Sequence, residues 1–125
     1  MGCFRTDLVA VLDIGDPKKL ERVAFVPVGD RGANGMTIAG RVLFVAGGEC
    51  VDAFDISDPS RPTLLAQYRG GDLFPTTVKL LDGAARRDNA HDLVYRDGHL
   101  YVTAQNDNNL GILKVTDPEL RRLTE

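Results

Sequence analysis

The stretch Val51–Pro59, VDAFDISDP, carries apolar residues at alternate positions and closes on Asp-Pro. The same pattern occurs at Val9–Pro17, VAVLDIGDP, and in a looser form at Leu110–Pro118, LGILKVTDP. Such alternation is typical of a β-strand, and proline preceded by aspartate favours a turn that ends the strand. Three copies within 125 residues indicate a repeat protein built from short strands.

Two longer alignments extend the repeat on both sides of this stretch. Leu8–Val26 superposes without gaps on Cys50–Tyr68, at an offset of 42 residues from Leu8 to Cys50. Ala33–Gly48 matches Ala90–Gln105 at an offset of 57, from Ala33 to Ala90. From there to the Asp-Pro pair the offset is 59, and the two extra residues fall in a turn, where insertions are tolerated best.

Each complete unit is predicted to hold four short strands, because turn residues separate its β-branched and aromatic segments. In the central unit these strands are Met36–Ile38, Val42–Ala46, the opening stretch and Thr63–Tyr68. Their counterparts in the other units are Asp92–Tyr95, Leu100–Ala104, Leu110–Pro118, Leu120–Thr124 and, in the first unit, Leu20–Val26. Residues 118–123 could form a helical turn, but the repeat favours a strand there, so no helix is predicted.

The repeats resemble the LVIVD repeat, the blade signature of a β-propeller family. The resemblance is carried by Asn89–Val94, Leu100–Ala104 and Val51–Pro59, with Val9–Pro17 as a further copy. It implies an all-β, propeller-type array of four-stranded antiparallel blades, and it carries little information about function. The chain departs from the pattern at Lys114, where the other copies have aspartate.

The resemblance also implies a domain organisation. An N-terminal segment, 1–7, precedes one repeat domain, 8–125, which consists of a half blade (8–28), a blade (33–69), an inserted loop (70–88) and a second blade (89–125). Closed propellers use about four to eight blades, so about two and a half blades form an incomplete array with open edges. We therefore expect a segment of a longer propeller, or assembly with other chains.

Composition excludes several classes of protein. The net charge of −3 and the absence of a basic cluster give no footprint for nucleic acid. No apolar run approaches the ~18–20 residues that span a bilayer, and the N-terminus lacks a secretory signal. Two cysteines, Cys3 and Cys50, form no disulfide framework or metal pattern. A soluble, cytoplasmic protein is the default expectation, with the cell surface as an alternative for a piece of a longer protein.

A second alternative for localisation is attachment to a membrane surface. Gly2 followed by Thr6 fits the N-myristoylation pattern, and Cys3 beside it could carry palmitate. Two such lipids would supply the two signals that stable anchoring requires. A chance match of this short pattern is the competing interpretation.

His91 and Asp92 open the first strand of the last blade, which in a propeller lines the central channel. Imidazole in that position suits a transition metal, so His91 is a candidate metal ligand. Asn34, at the equivalent position of the central unit, can form hydrogen bonds but is a poor ligand for such metals. We favour a structural role, in which His91 hydrogen-bonds the backbone of a neighbouring blade and Asp92 fixes its ring, because a metal site needs three or four ligands and one is visible. His91, Asp92 and Asn34 are also candidate contacts for a ligand or partner.

The inserted loop 70–88 deviates most from the repeat. It carries Leu73 and Phe74, which are candidate anchors for a partner, and the basic pair Arg86 and Arg87. Loops that join elements of a rigid scaffold frequently carry binding sites. The alternative, in which the loop folds back and buries Leu73 and Phe74 as local packing, stays open.

These observations favour a non-catalytic binding or scaffold module of LVIVD-repeat propeller type. It would contact a protein or a small ligand through its inter-blade loops and funnel rim. No catalytic residue, cofactor or transmembrane segment is expected. The alternative is a fragment of a metal-dependent propeller enzyme in which His91 is a channel-facing ligand.

Overall fold

The computed structural model describes residues 2–3, 7–29, 32–69, 77–79, 85–87, 89–105 and 110–125. These residues form antiparallel sheets and one short helix, which confirms the all-β class. No helix in the described part of the chain is long and apolar enough to cross a membrane. The elements in chain order are β1 (Gly2–Cys3), β2 (Leu8–Asp16), β3 (Lys19–Pro27), β4 (Gly35–Ala39), β5 (Val42–Gly47), β6 (Cys50–Asp55), β7 (Thr63–Arg69), β8 (Thr77–Lys79), β9 (Ala85–Arg87), β10 (Ala90–Arg96), β11 (His99–Ala104), β12 (Leu110–Lys114) and α1 (Pro118–Thr124).

The strands form three successive sheets and one small pair. The first sheet has the order β1-β2-β3, the central sheet β4-β5-β6-β7 and the third sheet β10-β11-β12, while β8 pairs with β9. The four strands predicted for the central unit are confirmed as a single meander. Asp97 and Gly98 adopt positive φ angles of 48° and 76° in the turn between β10 and β11, as the predicted tight hairpin requires.

The pairing register repeats at the offset of 42 that the sequence predicts. In the central sheet, Val51 lies opposite Tyr68, and a β-bulge follows Ala53. In the first sheet, Val9 lies opposite Val26, and a bulge follows two residues later. Because the bulge recurs at the same place, β2 and β3 are equivalent in pairing to β6 and β7.

The register of the other strands repeats in the same way. Phe44 of β5 lies opposite Ala53 of β6, and the equivalent Tyr101 of β11 lies opposite Ile112 of β12. The residue numbers increase by 57 from β5 to β11 and by 59 from β6 to β12, as the sequence predicts. A slip of one residue would move every side chain to the opposite face of its sheet, so the matching registers also preserve which side chains face the core.

The two middle strands of the central sheet, β5 and β6, are buried on both faces. Phe44 faces the third sheet, where its ring stacks on that of Tyr95 with centroids 5.7 Å apart. Leu43 and Val45, which alternate with Phe44 along β5, face the first sheet and share a core with Val9. At each interface, the face of one sheet that is equivalent to the Phe44 face of the central sheet packs on the next sheet. The next sheet contributes the face that is equivalent to the Leu43 face of the central sheet.

The structure corrects the expectation that residues 120–124 form a strand, because they belong to α1. Asp117 caps this helix by accepting hydrogen bonds from the N–H groups of Glu119 and Leu120, both at 2.9 Å. Pro118 occupies the first turn, where a missing N–H costs nothing. Leu120 and Leu123, three residues apart, are both buried against the core. These local helix signals override the repeat.

We expect Asp117→Ala to lower the free energy of unfolding by about 1 kcal/mol, because two N–H groups of α1 lose their acceptor. Urea denaturation followed by circular dichroism measures this loss. Asp117→Asn keeps a capping oxygen and is the matched control, expected to stay close to the wild type. Equal losses in both variants would show that the cap does not stabilise the helix.

Candidate functional site

Three of the predicted site residues, Asn34, His91 and Asp92, lie where β4 and β10 are in contact. The Asn34 side-chain amide donates a hydrogen bond to the backbone oxygen of Ala90 at 3.0 Å. His91 and Asp92 follow Ala90 in β10, and both are exposed. A Cβ atom on Gly35 would lie 2.7 Å from the Asp92 Cα, so the close approach of the two strands requires glycine. The structure thus brings Asn34, His91 and Asp92 to one place.

The hydrogen bonds of Asp92 are made within the third sheet. The Asp92 N–H donates to Thr103 Oγ1 at 3.1 Å, and the Asp92 carboxylate accepts from the Leu93 N–H at 2.8 Å. Within the described residues, no group of three or more His, Cys, Asp or Glu side chains could hold a metal ion. A zinc site needs three or four such ligands, and His91 belongs to no such group in the part of the chain that the structure describes. Ligand contact by His91 and Asp92 stays a prediction.

The predicted contact loop is described only in part. Leu73 and Phe74 lie outside the described residues. Arg86 and Arg87 lie in β9, with Arg87 opposite Thr77 in β8. Partner contact by this loop, and the alternative of local packing, stay predictions.

The N-terminal segment joins the first sheet. Gly2 of β1 lies opposite Val9 of β2, and Cys3 lies opposite Leu8. In the central sheet the equivalent positions are occupied by Ala46 and Gly47 at the end of β5. The predicted acylation sites Gly2 and Cys3 thus lie within a sheet, and β1 covers only the beginning of β2.

A cavity of about 670 Å³ lies beside the rest of β2, between the first and central sheets. Its volume falls in the range of about 300–1,000 Å³ that is typical of ligand sites. We call it the β2 groove. Eleven residues from β2, β4, β5 and the turn after β6 line it: Val9, Ala10, Val11, Leu12, Ile14, Met36, Thr37, Ile38, Leu43, Ile56 and Pro59.

The β2 groove is open to solvent and almost entirely apolar. Ile14 is 72% exposed and Ile38 is 63% exposed, although both are large aliphatic side chains. Thr37 is the one lining residue with a polar side chain. Exposed apolar surface of this kind marks a contact site more often than isolated apolar residues do. Sequence reasoning missed the groove because it depends on which part of β2 the strand β1 covers.

Carboxylates stand at one end of the groove. Asp13 and Asp58 line an adjoining cavity of about 460 Å³ that shares Val11, Leu12 and Ile14 with the groove. The Ser60 hydroxyl donates to Asp58 Oδ1 at 2.6 Å, and the Ser60 N–H donates to the same oxygen at 3.0 Å. These hydrogen bonds hold the pKa of Asp58 below its ordinary value, so Asp58 is ionised at neutral pH.

A carboxyl group with a lowered pKa in the folded state stabilises the fold above its unfolded pKa of about 3.9. The stabilisation is lost as pH falls through the folded pKa. We expect Ser60→Ala to raise the pKa of Asp58 towards that ordinary value, because the strongest donor is removed. Titration of the Asp58 carboxyl carbon by NMR measures the change. An unchanged titration curve would refute the assigned cause.

Asp52 is a further acid that the sequence pattern did not single out. It is 2% exposed, and its carboxylate accepts hydrogen bonds from the Gly29 N–H at 2.7 Å and from the Gln67 side-chain amide. These partners join the loop after β3 to the central sheet. Because Asp52 is enclosed by donors from its own chain, its role is structural.

Comparison of the chain with protein-family models, with curated proteins and with solved structures finds no match.

Proposed function

We propose that the chain is a non-catalytic binding or scaffold module, part of a propeller-type array of LVIVD-repeat type, and that the β2 groove holds its ligand. The observation that carries the proposal is the open apolar groove between the first and central sheets. An apolar cavity with few polar groups suits a ligand that is recognised by burial of apolar surface.

The sheet packing supports the propeller part of the proposal. Two successive interfaces join equivalent faces of equivalent sheets, as stacked blades do. The first strands of the central and third sheets, β4 and β10, approach closely at Gly35, as inner strands of neighbouring blades would. The apolar outer faces of the first and third sheets, with Phe25 and Ile112 exposed, are consistent with further blades beyond them.

The binding proposal is tested with the uncharged apolar fluorescent dye Nile red. We expect the native protein to enhance its fluorescence and Ile38→Lys to abolish most of that enhancement, because a charge would lie in the groove. Ile112→Lys is the matched control, since Ile112 is 58% exposed but lies on β12, away from the groove. Equal enhancement in all three proteins would overturn the proposal. Near-UV circular dichroism establishes that each variant keeps native packing, because molten states also bind the dye.

A further inference from the structure

One edge of β2 is paired along its length and the other is paired at its beginning. On one side β2 pairs with β3 along its length, from Leu8 to Asp16. On the other side, within the described residues, β1 pairs with Leu8 and Val9. Among the described residues, no strand pairs with Val11–Ile14 on that side. An open strand edge beside an apolar groove is the arrangement to which extended peptides add a strand.

The central sheet shows what fits beside such an edge. Residues Ala53, Phe54 and Asp55 of β6 are equivalent to Val11, Leu12 and Asp13 of β2. Their partners across the sheet are Phe44, Leu43 and Val42 of β5, in that order. The segment of β5 from Val42 to Phe44 is therefore an internal template for the occupant of the groove.

The template also fixes which side chains would enter the groove. Val42 and Phe44 face the next sheet in the array and are fully buried there. Side chains at the corresponding positions beside β2 would face the central sheet, where Met36, Ile38 and Leu43 line the groove. An occupant with apolar residues at alternate positions would thus bury the surface that is now exposed.

The template segment is preceded by a basic residue, and the groove ends at carboxylates. Arg41 immediately precedes β5, and its backbone oxygen accepts from the Ile56 N–H at 2.9 Å. Hydrogen bonds from Ser57 lower the pKa of Asp55, and the charge of Arg41 lowers it further. Asp13, the equivalent of Asp55, is exposed at the end of the groove next to Asp58. A basic residue ahead of the apolar segment would stand near both carboxylates.

We infer that the β2 groove binds an extended segment of a partner polypeptide, which pairs antiparallel with β2 at Val11–Asp13 and reads basic–apolar–any–apolar. The inference rests on the proposed binding function of the groove and names its ligand class. Edge-to-edge pairing of two copies of β2 is disfavoured, because it would bring the Asp13 carboxylates towards each other. The chain's own template segment is buried in the central sheet, so a second copy does not offer it.

The test uses a fluorescein-labelled peptide with the sequence of Gly40–Phe44, GRVLF, which ends before the positions beside β2 that β1 occupies. We expect its fluorescence anisotropy to rise on titration with the protein. Ile38→Lys should weaken binding about tenfold or more, which corresponds to about 1.4 kcal/mol. Ile112→Lys should leave the affinity unchanged. A peptide with prolines in place of Val42 and Leu43 should not bind, because it cannot form the ladder.

A charge exchange tests the basic position separately. Asp13→Lys should weaken binding of the peptide and restore binding of a peptide in which Arg41 is replaced by glutamate. Dye binding that responds to Ile38→Lys without any peptide binding would overturn the strand inference and leave the proposed function standing. If the native protein neither enhances the dye fluorescence nor binds the peptide, both the proposed function and the strand inference are overturned. Equal affinity for the proline-containing peptide would also overturn the inference, since it would show binding without strand pairing.

Discussion

Phe44→Ala is expected to lower the free energy of unfolding by about 3–5 kcal/mol, the cost of removing a fully buried aromatic ring. Phe44 is 0% exposed, and its ring lies between the central and third sheets against Tyr95. Total stabilities of small domains are about 5–15 kcal/mol, so this one change would remove a large fraction. Urea denaturation followed by far-UV circular dichroism measures the loss.

Phe25→Ala is the matched control for that prediction. Phe25 is 49% exposed on the outer face of β3, where the Arg22 guanidinium lies 4.3 Å from the ring centroid. We expect a loss of about 1 kcal/mol or less, the usual range for an exposed cation–π contact. Similar losses at Phe44 and Phe25 would contradict the assignment of the main core to the interface between the central and third sheets. If Phe44→Ala does not fold, Phe44→Leu provides a measurable, smaller loss.

Gly35→Ala is expected to cost about 1–3 kcal/mol, the range for inserting a methyl group into a tightly packed contact. The added Cβ would meet the Asp92 Cα and the His91 carbonyl oxygen, each at 2.7 Å. Both are backbone atoms, so β10 would have to move away from β4. Denaturation measures the cost, and chemical shifts of β10 amides report the movement.

Gly15→Ala is the matched control for Gly35→Ala. The nearest atom to a Cβ on Gly15 is Asp13 Oδ1 at 3.2 Å, the end of an exposed side chain. We expect no loss, or a small gain of about 0.4–1 kcal/mol, because alanine restricts the unfolded chain. Equal losses at both glycines would show that the contact between β4 and β10 does not depend on Gly35.

The strands and their registers were within reach of the sequence. The offset of 42 between Val9–Pro17 and Val51–Pro59 predicts the pairing partners of β2 and β6, because equivalent residues occupy equivalent places in a sheet. The turn at Asp97 and Gly98 follows from local backbone preferences. These features depend on short-range signals and on repetition, which a single sequence displays directly.

Two features were beyond that reasoning. The helix α1 has clear signals in Asp117, Leu120 and Leu123, but the repeat predicts a strand over the same residues. The β2 groove has no sequence signal, because it results from how far β1 extends along β2 and from which side chains of β4 face that gap. The pairing of Gly2 and Cys3 with β2 likewise depends on tertiary structure.

One pattern of strand pairing recurs through the chain. Cross-strand NOEs between backbone protons in isotopically labelled protein test it most directly. We expect NOEs between Val11 and Ala24 and between Ala53 and Ala66, the pairs at offset 42. We also expect NOEs between Phe44 and Ala53 and between Tyr101 and Ile112, the pairs at offsets 57 and 59. A displacement of any pair by a single residue relative to its counterpart would contradict it.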